Sequence, residues 1–339
     1  MSLEFRHIAH AYGQVRALED ISFTAPAGEI TCLLGASGCG KSTLLGLAAG
    51  LLTVQQGSIA LGGEVIADER RSPPPEARPV GLVFQDGALF PHMTLTANVG
   101  FGLPKSARGQ AEGWLAKVGL SGMGARYPHE LSGGQQQRAA LARAMAPGPR
   151  VLLMDEPFAS VDIVLRRRLR RECRILLREA GATVVLVTHD PAEALDIADR
   201  IAVMEAGRIV QFGTPHDLHH TPQTAAVGAI FSGAQVIAGV RQGDSVTTAF
   251  GLWPLATMLG ALPDVAQLDL LVQADRLDLV ADSAGCAVRD VHPMGPVTRV
   301  LLEGAGGAEI TVETAAPVSA GQAYRVIPQP GSVRGFAQS

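Results

Sequence analysis

The stretch Gly35-Ala36-Ser37-Gly38-Cys39-Gly40-Lys41-Ser42-Thr43 decides the fold of this chain. It matches the pattern G-x-x-x-x-G-K-[ST] and is called the phosphate loop (residues 35–43) below. The mostly apolar residues 29–34 before it predict a buried strand, and residues 42–49 after it predict the start of a helix. Because the pattern requires this strand–loop–helix order, the stretch predicts a nucleotide-binding α/β domain.

The residue types of the phosphate loop suit a nucleoside triphosphate. Gly35, Gly38 and Gly40 let the backbone curl so that its N–H groups point at an anion, and the helix N-terminus adds partial positive charge. Lys41 would reach the β- and γ-phosphates, and the Ser42 hydroxyl would hold Mg²⁺. The alternative is a glycine-rich turn without a ligand, which Lys and Ser at these offsets argue against.

Composition limits the class of protein. The chain has 339 residues, of which 47% are hydrophobic and 18% charged, so about two domains with real cores are expected. Its net charge of −4 does not indicate a nucleic-acid partner. The sequence has neither an apolar run long enough to span a membrane nor the apolar stretch of a signal peptide, which predicts a soluble, cytosolic chain. The four cysteines are scattered, without the paired spacing of a disulfide frame or a zinc site, which predicts that they are reduced thiols.

Three further apolar runs each end in a polar side chain. Gln85 follows one run, Asp155 and Glu156 end another, and His189 ends a third. Ligands of open α/β sheets gather at the carboxyl ends of the strands. Asp155 would hold Mg²⁺, Glu156 would polarise the attacking water, and Gln85 either caps its strand or orients Mg²⁺ or that water. For His189 the residues alone favour a structural role over a sensor of the γ-phosphate.

Two other features leave alternatives open. Residues 131–135, Leu-Ser-Gly-Gly-Gln, place Ser132 as the N-cap of a helix, and two adjacent glycines there suggest close approach of an anion rather than an ordinary cap. Tyr12 is either half-buried packing or an aromatic platform for an adenine ring. The basic run 166–171 is interpreted as a solvated helix face, and residues 70–76, rich in proline, predict no regular structure.

The pattern of residue types in the sequence changes near residue 235. Short β-type runs broken by Gly and Pro follow, which predicts a small barrel. Residues 236–339 contain six basic and ten acidic residues, so this part is poorly suited to nucleic acid.

Taken together, these motifs resemble the ATP-binding subunit of an ABC transporter, and they appear in the family's order. The resemblance covers residues 1–235 and implies an α/β P-loop NTPase fold (ABC ATPase) with a helical subdomain at about 87–147, followed by a small all-β, OB-like domain. It implies domains at 1–234 and 235–339, the second being a regulatory domain of the TOBE type. It also implies Mg²⁺ held through Ser42, Gln85 and Asp155.

The resemblance assigns roles to the site residues. Glu156, His189 and Gln85 correspond to the catalytic glutamate, the switch histidine and the Q-loop glutamine. The signature segment, which would contact the ATP of a partner subunit, is Leu131, Ser132, Gly133, Gly134 and Gln135. The contacts to the chain's own ATP would come from Tyr12, Gly35, Ser37, Gly38, Cys39, Gly40, Lys41, Ser42 and Thr43. Asp162 matches the D-loop aspartate, although Ala159-Ser160-Val161 departs from the usual Ser-Ala-Leu and puts the geometry of that loop in doubt.

The resemblance also implies partners. One phosphate loop and one signature segment per chain imply a homodimer around two ATP molecules. Two transmembrane permease subunits would anchor it to the cytoplasmic face of the bacterial inner membrane, and a periplasmic solute-binding protein would act indirectly. Residues 73–85 and 88–95 are most similar to ferric-iron importers, with sulfate, molybdate, thiamine and polyamine importers as alternatives. A soluble ABC ATPase unrelated to transport and a non-hydrolytic interaction protein are the competing interpretations.

Overall fold

The computed structural model of the chain describes residues 1–85, 88–159 and 163–338. It divides into two compact units, Met1–Pro215 and His216–Ser339. The predicted boundary after residue 234 lies at the start of the first strand of the all-β region, whereas the second unit also includes the helix before that strand. The boundaries 1–234 and 235–339 therefore stay a prediction about folding domains.

The first unit begins with strands that form an antiparallel sheet in the order β2-β1-β4-β5. The strands are β1 (Leu3–Tyr12), β2 (Val15–Ala25), β4 (Gln56–Leu61) and β5 (Glu64–Asp68). Leu3, Phe5 and Ile8 of β1 are almost fully buried. They belong to a core cluster that also includes Leu33 and Val185 of the central sheet, so the two sheets share one apolar core.

The central sheet has the order β10-β9-β3-β8-β7-β6. Its strands are β3 (Ile30–Leu34), β6 (Val80–Val83), β7 (Val151–Asp155), β8 (Thr183–Thr188), β9 (Arg200–Glu205) and β10 (Arg208–Gly213). All neighbours are parallel except β9 and β10. Every residue of β3 and β8 is buried, as expected for parallel strands covered on both faces. The carboxyl ends of β3, β8, β7 and β6 therefore lie along one edge.

Helices surround this sheet and also form a separate group. α1 (Lys41–Ala49), α5 (Ile163–Glu179) and α6 (Pro191–Ile197) alternate with the strands. Between β6 and β7 lie α2 (Leu95–Gly100), α3 (Ala111–Lys117) and α4 (Gly133–Met145), which bury an apolar cluster of their own. The prediction of no regular structure over residues 70–76 is wrong at its end, because Pro75–Ala77 is a 3-10 turn. Proline is tolerated there since the first position of a helix needs no N–H donor.

The second unit confirms the predicted all-β region. After α7 (Pro215–His220), which begins at the unit boundary, and α8 (Ala225–Ser232), its strands form two sheets, β13-β12-β11-β14-β19 and β17-β16-β15-β18. The strands are β11 (Gln235–Gln242), β12 (Ser245–Thr248), β13 (Gly251–Pro254), β14 (Gln267–Val272), β15 (Leu277–Met294), β16 (Val297–Glu303), β17 (Glu309–Thr314), β18 (Ala323–Pro328) and β19 (Arg334–Ala337). Both sheets contribute to one core around Trp253, so the small barrel expected from strand spacing takes the form of two packed sheets.

Among the residues that the structure describes, none of the helices combines the length and the apolar character needed to cross a bilayer.

Arg78 anchors the end of the helix that follows the phosphate loop. Its side chain is buried and donates to the carbonyl oxygens of Leu47 (2.5 Å) and Ala48 (3.0 Å) in the last turn of α1. It also donates to Pro73 O at 2.8 Å. A cation at this position satisfies carbonyls that have no partner within the helix and interacts favourably with the helix dipole.

We expect Arg78→Ala to lower the free energy of unfolding by at least about 2 kcal/mol, because a hydrogen bond from a charged donor is worth roughly 1.5–3 kcal/mol and the buried contacts of Arg78 with Leu47 O and Ala48 O would be lost. Urea unfolding followed by circular dichroism measures this. Arg70→Ala is the matched control, since Arg70 is exposed on the same connection. Equal losses in the two variants would contradict the anchoring role.

Candidate active site

The phosphate loop joins β3 to α1 with a backbone that has no room for side chains at two of its glycines. Gly40 has φ 105°, and a Cβ there would lie 2.5 Å from Ala17 O. A Cβ on Gly35 would lie 2.3 Å from Met204 O. Lys41, which is 5% exposed, donates from Nζ to Gly35 O at 2.7 Å and to Ala36 O at 2.8 Å. The only cation of the loop is thus held against the loop's own backbone.

All four cysteines are free and buried. Cys39 lies within the loop, with its Sγ 3.7 Å from Lys41 Nζ. A Cβ on Gly35 would meet that sulfur at 2.7 Å, so Cys39 fills the space beside the glycine. This contact gives Cys39 a packing role inside the loop.

Ser42 and Asp155 meet beside the loop. The Ser42 hydroxyl at the start of α1 donates to Asp155 Oδ1 at the end of β7, with 3.3 Å between the oxygens. Burial raises the pKa of Asp155, while the hydrogen bond from Ser42 and the charge of Lys41 oppose that rise. A hydroxyl and a carboxylate are hard oxygen donors, the kind that Mg²⁺ prefers, so this pair fits the ion. Gln85 is exposed and lies two residues beyond the end of β6, the strand next to β7.

Glu156 and His189 face each other across the ends of β7 and β8. Glu156 Oε1 lies 3.1 Å from His189 Nδ1, and both side chains are partly exposed. Glu156 has φ 41°, a left-handed conformation that costs a non-glycine residue about 1–3 kcal/mol and is typical of functional sites. Its N–H donates to Val187 O at 3.0 Å, which ties this backbone to the neighbouring strand. A carboxylate beside an imidazole is an arrangement able to orient water and accept its proton.

Tyr12 presents its ring beside the end of the loop. The side chain is 52% exposed, and its hydroxyl lies 3.4 Å from Thr43 Oγ1. His10 packs edge-on against the ring, with 4.9 Å between centroids. An exposed face supported from one edge is suited to stacking with a flat base.

The signature segment caps α4 and lies in the helical group. Ser132 Oγ accepts from Gln135 N (3.4 Å) and Gln135 Oε1 accepts from Ser132 N (2.9 Å), which is a capping box. Leu131 is buried in the core of that group, whereas Ser132 and Gly133 are exposed. Gln135 also donates from Nε2 to Met123 Sδ at 3.9 Å. Asp162 lies outside the described residues.

The structure thus brings together the phosphate loop, Tyr12, Asp155, Glu156 and His189, and it places the signature segment elsewhere. The profile of the ABC transporter family matches residues 18–159, which span the loop, the signature segment and β7. A protein from Pseudomonas fluorescens named Fe(3+) ions import ATP-binding protein FbpC is 48% identical over 241 residues, covering 70% of this chain and 68% of that protein.

The chain belongs to the ABC transporter ATP-binding family. Two more relatives with the same name come from Rhodococcus jostii and Brucella abortus. They are 42% and 43% identical over 299 and 277 residues, covering 87% and 79% of this chain and 85% and 77% of those proteins. A crystal structure of a nucleotide-free ATP-binding cassette from an ABC transporter is similar with a TM-score of 0.57 at 25% identity, covering 63% of this chain and 92% of that chain.

One part of this ABC ATPase differs from the prediction made from its sequence. The basic run 166–171 is predicted to be a solvated helix face, and Arg167, Arg168 and Arg171 are exposed, but Arg170 of α5 is only 5% exposed. Its guanidinium pairs with Asp190 (2.5 Å), Glu193 (3.3 Å) and Asp196 (3.4 Å), all in or next to α6. A sequence signal existed, since acids at 190, 193 and 196 follow His189 at helical spacing, but nothing local paired them with Arg170.

The carboxylates around Arg170 differ in electrostatic environment. Burial raises the pKa of Glu193 to about 7, although the charge of Arg170 acts in the opposite direction. At Asp190 burial also favours the neutral form, but the hydrogen bond and the charge of Arg170 outweigh it and lower the pKa. Asp190 is therefore ionised at neutral pH and pairs with the charged Arg170.

Glu193 should make the stability of this ABC ATPase depend on pH. Its pKa in the folded state, about 7, lies above the ordinary value of 4.5 that applies to the unfolded chain. The contribution of Glu193 to the free energy of unfolding is therefore fully present below pH 4.5 and is lost as the pH rises through about 7. We expect the difference in Tm between wild type and Glu193→Gln to shift in favour of the variant between about pH 5 and pH 8. Calorimetry measures this, with the exposed Glu205→Gln as control. Parallel profiles for wild type and Glu193→Gln would contradict the assignment.

Proposed function

We propose that this chain is the ATP-hydrolysing subunit of an ABC importer for ferric iron. The observation that carries the hydrolytic part is the contact between Glu156 and His189 at the edge of the sheet, next to the phosphate loop. The ferric-iron part of the proposal rests on the names of relatives from three genera, each called an Fe(3+) import ATP-binding protein.

In this proposal the loop and its neighbours bind ATP. The phosphate loop holds the phosphates through backbone N–H groups, Lys41 neutralises the β- and γ-phosphates, and Tyr12 stacks on the adenine. Ser42 and Asp155, together with Gln85, would hold Mg²⁺, which supplies charge neutralisation at the phosphates when bound. The 3.3 Å contact between Ser42 and Asp155 supports this donor set.

Hydrolysis then depends on residues at the ends of β7 and β8. Glu156 accepts a proton from the attacking water, and His189 orients the carboxylate and senses the γ-phosphate. Both side chains are accessible to a water molecule, and each residue directly follows the last residue of a paired strand. This combination of rigid support and exposure is what a positioned general base requires.

The proposed assembly is a homodimer with two ATP molecules. The chain carries one phosphate loop and one signature segment, and the exposed Ser132 and Gly133 at the start of α4 are available to the γ-phosphate of a partner's ATP. Asp162 would contact the partner through the D-loop. ATP would favour the closed dimer because only that state contacts it from both sides.

Transport requires further subunits. We assign two transmembrane permease subunits as partners, with Gln85 reporting dimer closure to them, and a periplasmic binding protein that delivers the solute. The chain would lie at the cytoplasmic face of the bacterial inner membrane. The all-β residues 235–339 would form the TOBE-like regulatory domain that follows a cassette at 1–234. Nucleic acid is not proposed as a partner, in keeping with the net charge of −4.

We expect Glu156→Gln to reduce ATP turnover by roughly 10²-fold or more while ATP binding is retained, because the amide keeps the shape of the side chain but cannot accept the proton. Phosphate release measures turnover, and equilibrium binding of ATP measures affinity. The same samples run by size-exclusion chromatography should show an ATP-dependent dimer. Turnover at the wild-type rate would show that Glu156 is not the base.

The cargo is tested on the complex as it assembles. The complex is purified through a tag on this chain, and its binding protein is assayed with Fe³⁺, sulfate, molybdate, thiamine and a polyamine. We expect retention of Fe³⁺ and stimulation of ATP turnover by the Fe³⁺-loaded binding protein only. Retention of one of the other ligands without Fe³⁺ would refute the ferric-iron assignment and leave the ATPase assignment intact.

A further inference from the structure

Arg170 connects α5 to the segment that carries His189. The arginine is the eighth of the 17 residues of α5, and it is 5% exposed. Its three carboxylate partners, Asp190, Glu193 and Asp196, belong to α6 or to its N-cap. One buried cation thus holds one helix against the start of another.

The segment held by Arg170 begins immediately after His189. Thr188, the last residue of β8, accepts from Asp190 N through Oγ1 at 3.0 Å. Asp190 is the N-cap of α6 and accepts from Ala192 N through Oδ1 at 2.9 Å. His189 is therefore the single residue between a buried strand and a cap that Arg170 holds from the other side at 2.5 Å. The position of its backbone depends on both anchors.

The cluster of Arg170 with Asp190, Glu193 and Asp196 is not expected to add much to the stability of the fold. Three carboxylates surround one guanidinium, and in the described structure Arg170 Nε and Glu193 Oε1 are buried without a hydrogen-bond partner. Buried ion pairs of this kind often contribute no more than apolar residues of similar volume, because desolvation offsets the attraction. Unsatisfied atoms add a further cost. A geometric role explains the arrangement better than a stabilising one.

We propose that Arg170 is a positioning residue for ATP hydrolysis, which holds Asp190 and the first turn of α6 so that His189 stays in contact with Glu156. The inference rests on the proposed function, since it concerns a residue that acts through the catalytic pair. Arg170 itself does not contact Glu156 or the phosphate loop in the hydrogen bonds and ion pairs of the described residues.

The chain offers a matched control on the same helix. Arg174, one turn further along α5, donates to the carbonyl oxygens of Ile197 and Ala198 (3.2 Å for the latter) and pairs with Asp199 at 2.9 Å. It therefore anchors the far end of α6, away from His189. Arg174→Met and Arg170→Met remove comparable anchors from the two ends of one helix.

The test is a double-mutant cycle on the full chain. ATP turnover is measured for wild type, Arg170→Met, His189→Ala and the double variant, under single-turnover conditions so that low rates stay measurable. We expect Arg170→Met to lower the rate by about 10- to 100-fold, as displacement of a catalytic group by about 1 Å does, with the Kd for ATP changed less than about threefold. In the His189→Ala background the same substitution should change the rate less than about twofold, because the effect passes through His189. Arg174→Met should leave the rate within about twofold of wild type.

Two further variants and a measurement of hydrogen exchange guard against a variant that does not fold. Asp190→Asn keeps the N-cap but removes the charge that Arg170 holds, so it should show the same dependence on His189. Arg170→Lys keeps the charge and should restore part of the rate lost in Arg170→Met. Hydrogen exchange should increase around residues 189–194 in Arg170→Met and around residues 197–199 in Arg174→Met.

The outcomes separate this inference from the proposed function. Equal losses of rate from Arg170→Met, or from Asp190→Asn, in both backgrounds would show that the cluster does not act through His189 and would overturn the inference alone. A loss in Arg174→Met as large as in Arg170→Met would do the same. A wild-type chain that binds ATP without turning it over would overturn both.

Discussion

The site depends on one constraint, the register of four parallel strands, β3, β8, β7 and β6, whose carboxyl ends lie at the same height in the sheet. Leu34 of β3 is paired with Thr188 of β8, Val187 of β8 with Asp155 of β7, and Met154 of β7 with Val83 of β6. The residue that follows each strand therefore emerges at the same edge. A shift of one residue would move a side chain by about 3.3 Å and turn it to the opposite face, which would separate the carboxylates from the phosphate loop.

Two buried arginines fix helices next to this edge, and they do so through different kinds of contact. Arg78 donates to carbonyl oxygens in the last turn of α1, which lack the usual partner four residues on within the helix, so the contact adds stability to the helix that follows the phosphate loop. Arg170 binds carboxylates and leaves polar atoms unsatisfied. Its contact fits the need to hold a helix end in one place. The site thus combines a stability anchor and a positional anchor, and both lie outside the motifs that identify the family.

The motifs were predictable because their chemistry is local in sequence. A phosphate loop, a capped helix start or an acid after an apolar run is defined by a few consecutive residues. The prediction of a solvated face for the basic run holds at Arg167, Arg168 and Arg171 but is wrong at Arg170, for the opposite reason. Arginines every fourth residue on α5 form one helix face, and whether that face meets water or acids depends on α6, about 20 residues away in the chain. The strand pattern of the tail predicted strands but not their division into two sheets, since that division is a matter of non-local pairing.

The amino-acid sequence by itself determined the nucleotide loop, the order of the strands and helices around it, the signature segment and the β-rich tail, because periodicity and turn chemistry act over short distances. Only the tertiary structure decided that Glu156 lies against His189, that Asp155 accepts from Ser42, and that Arg170 is buried. Glu156 and His189 are 33 positions apart in the sequence, and Ser42 and Asp155 are 113 positions apart. Strand register and helix packing bring them together, and neither is encoded in any one segment of the chain.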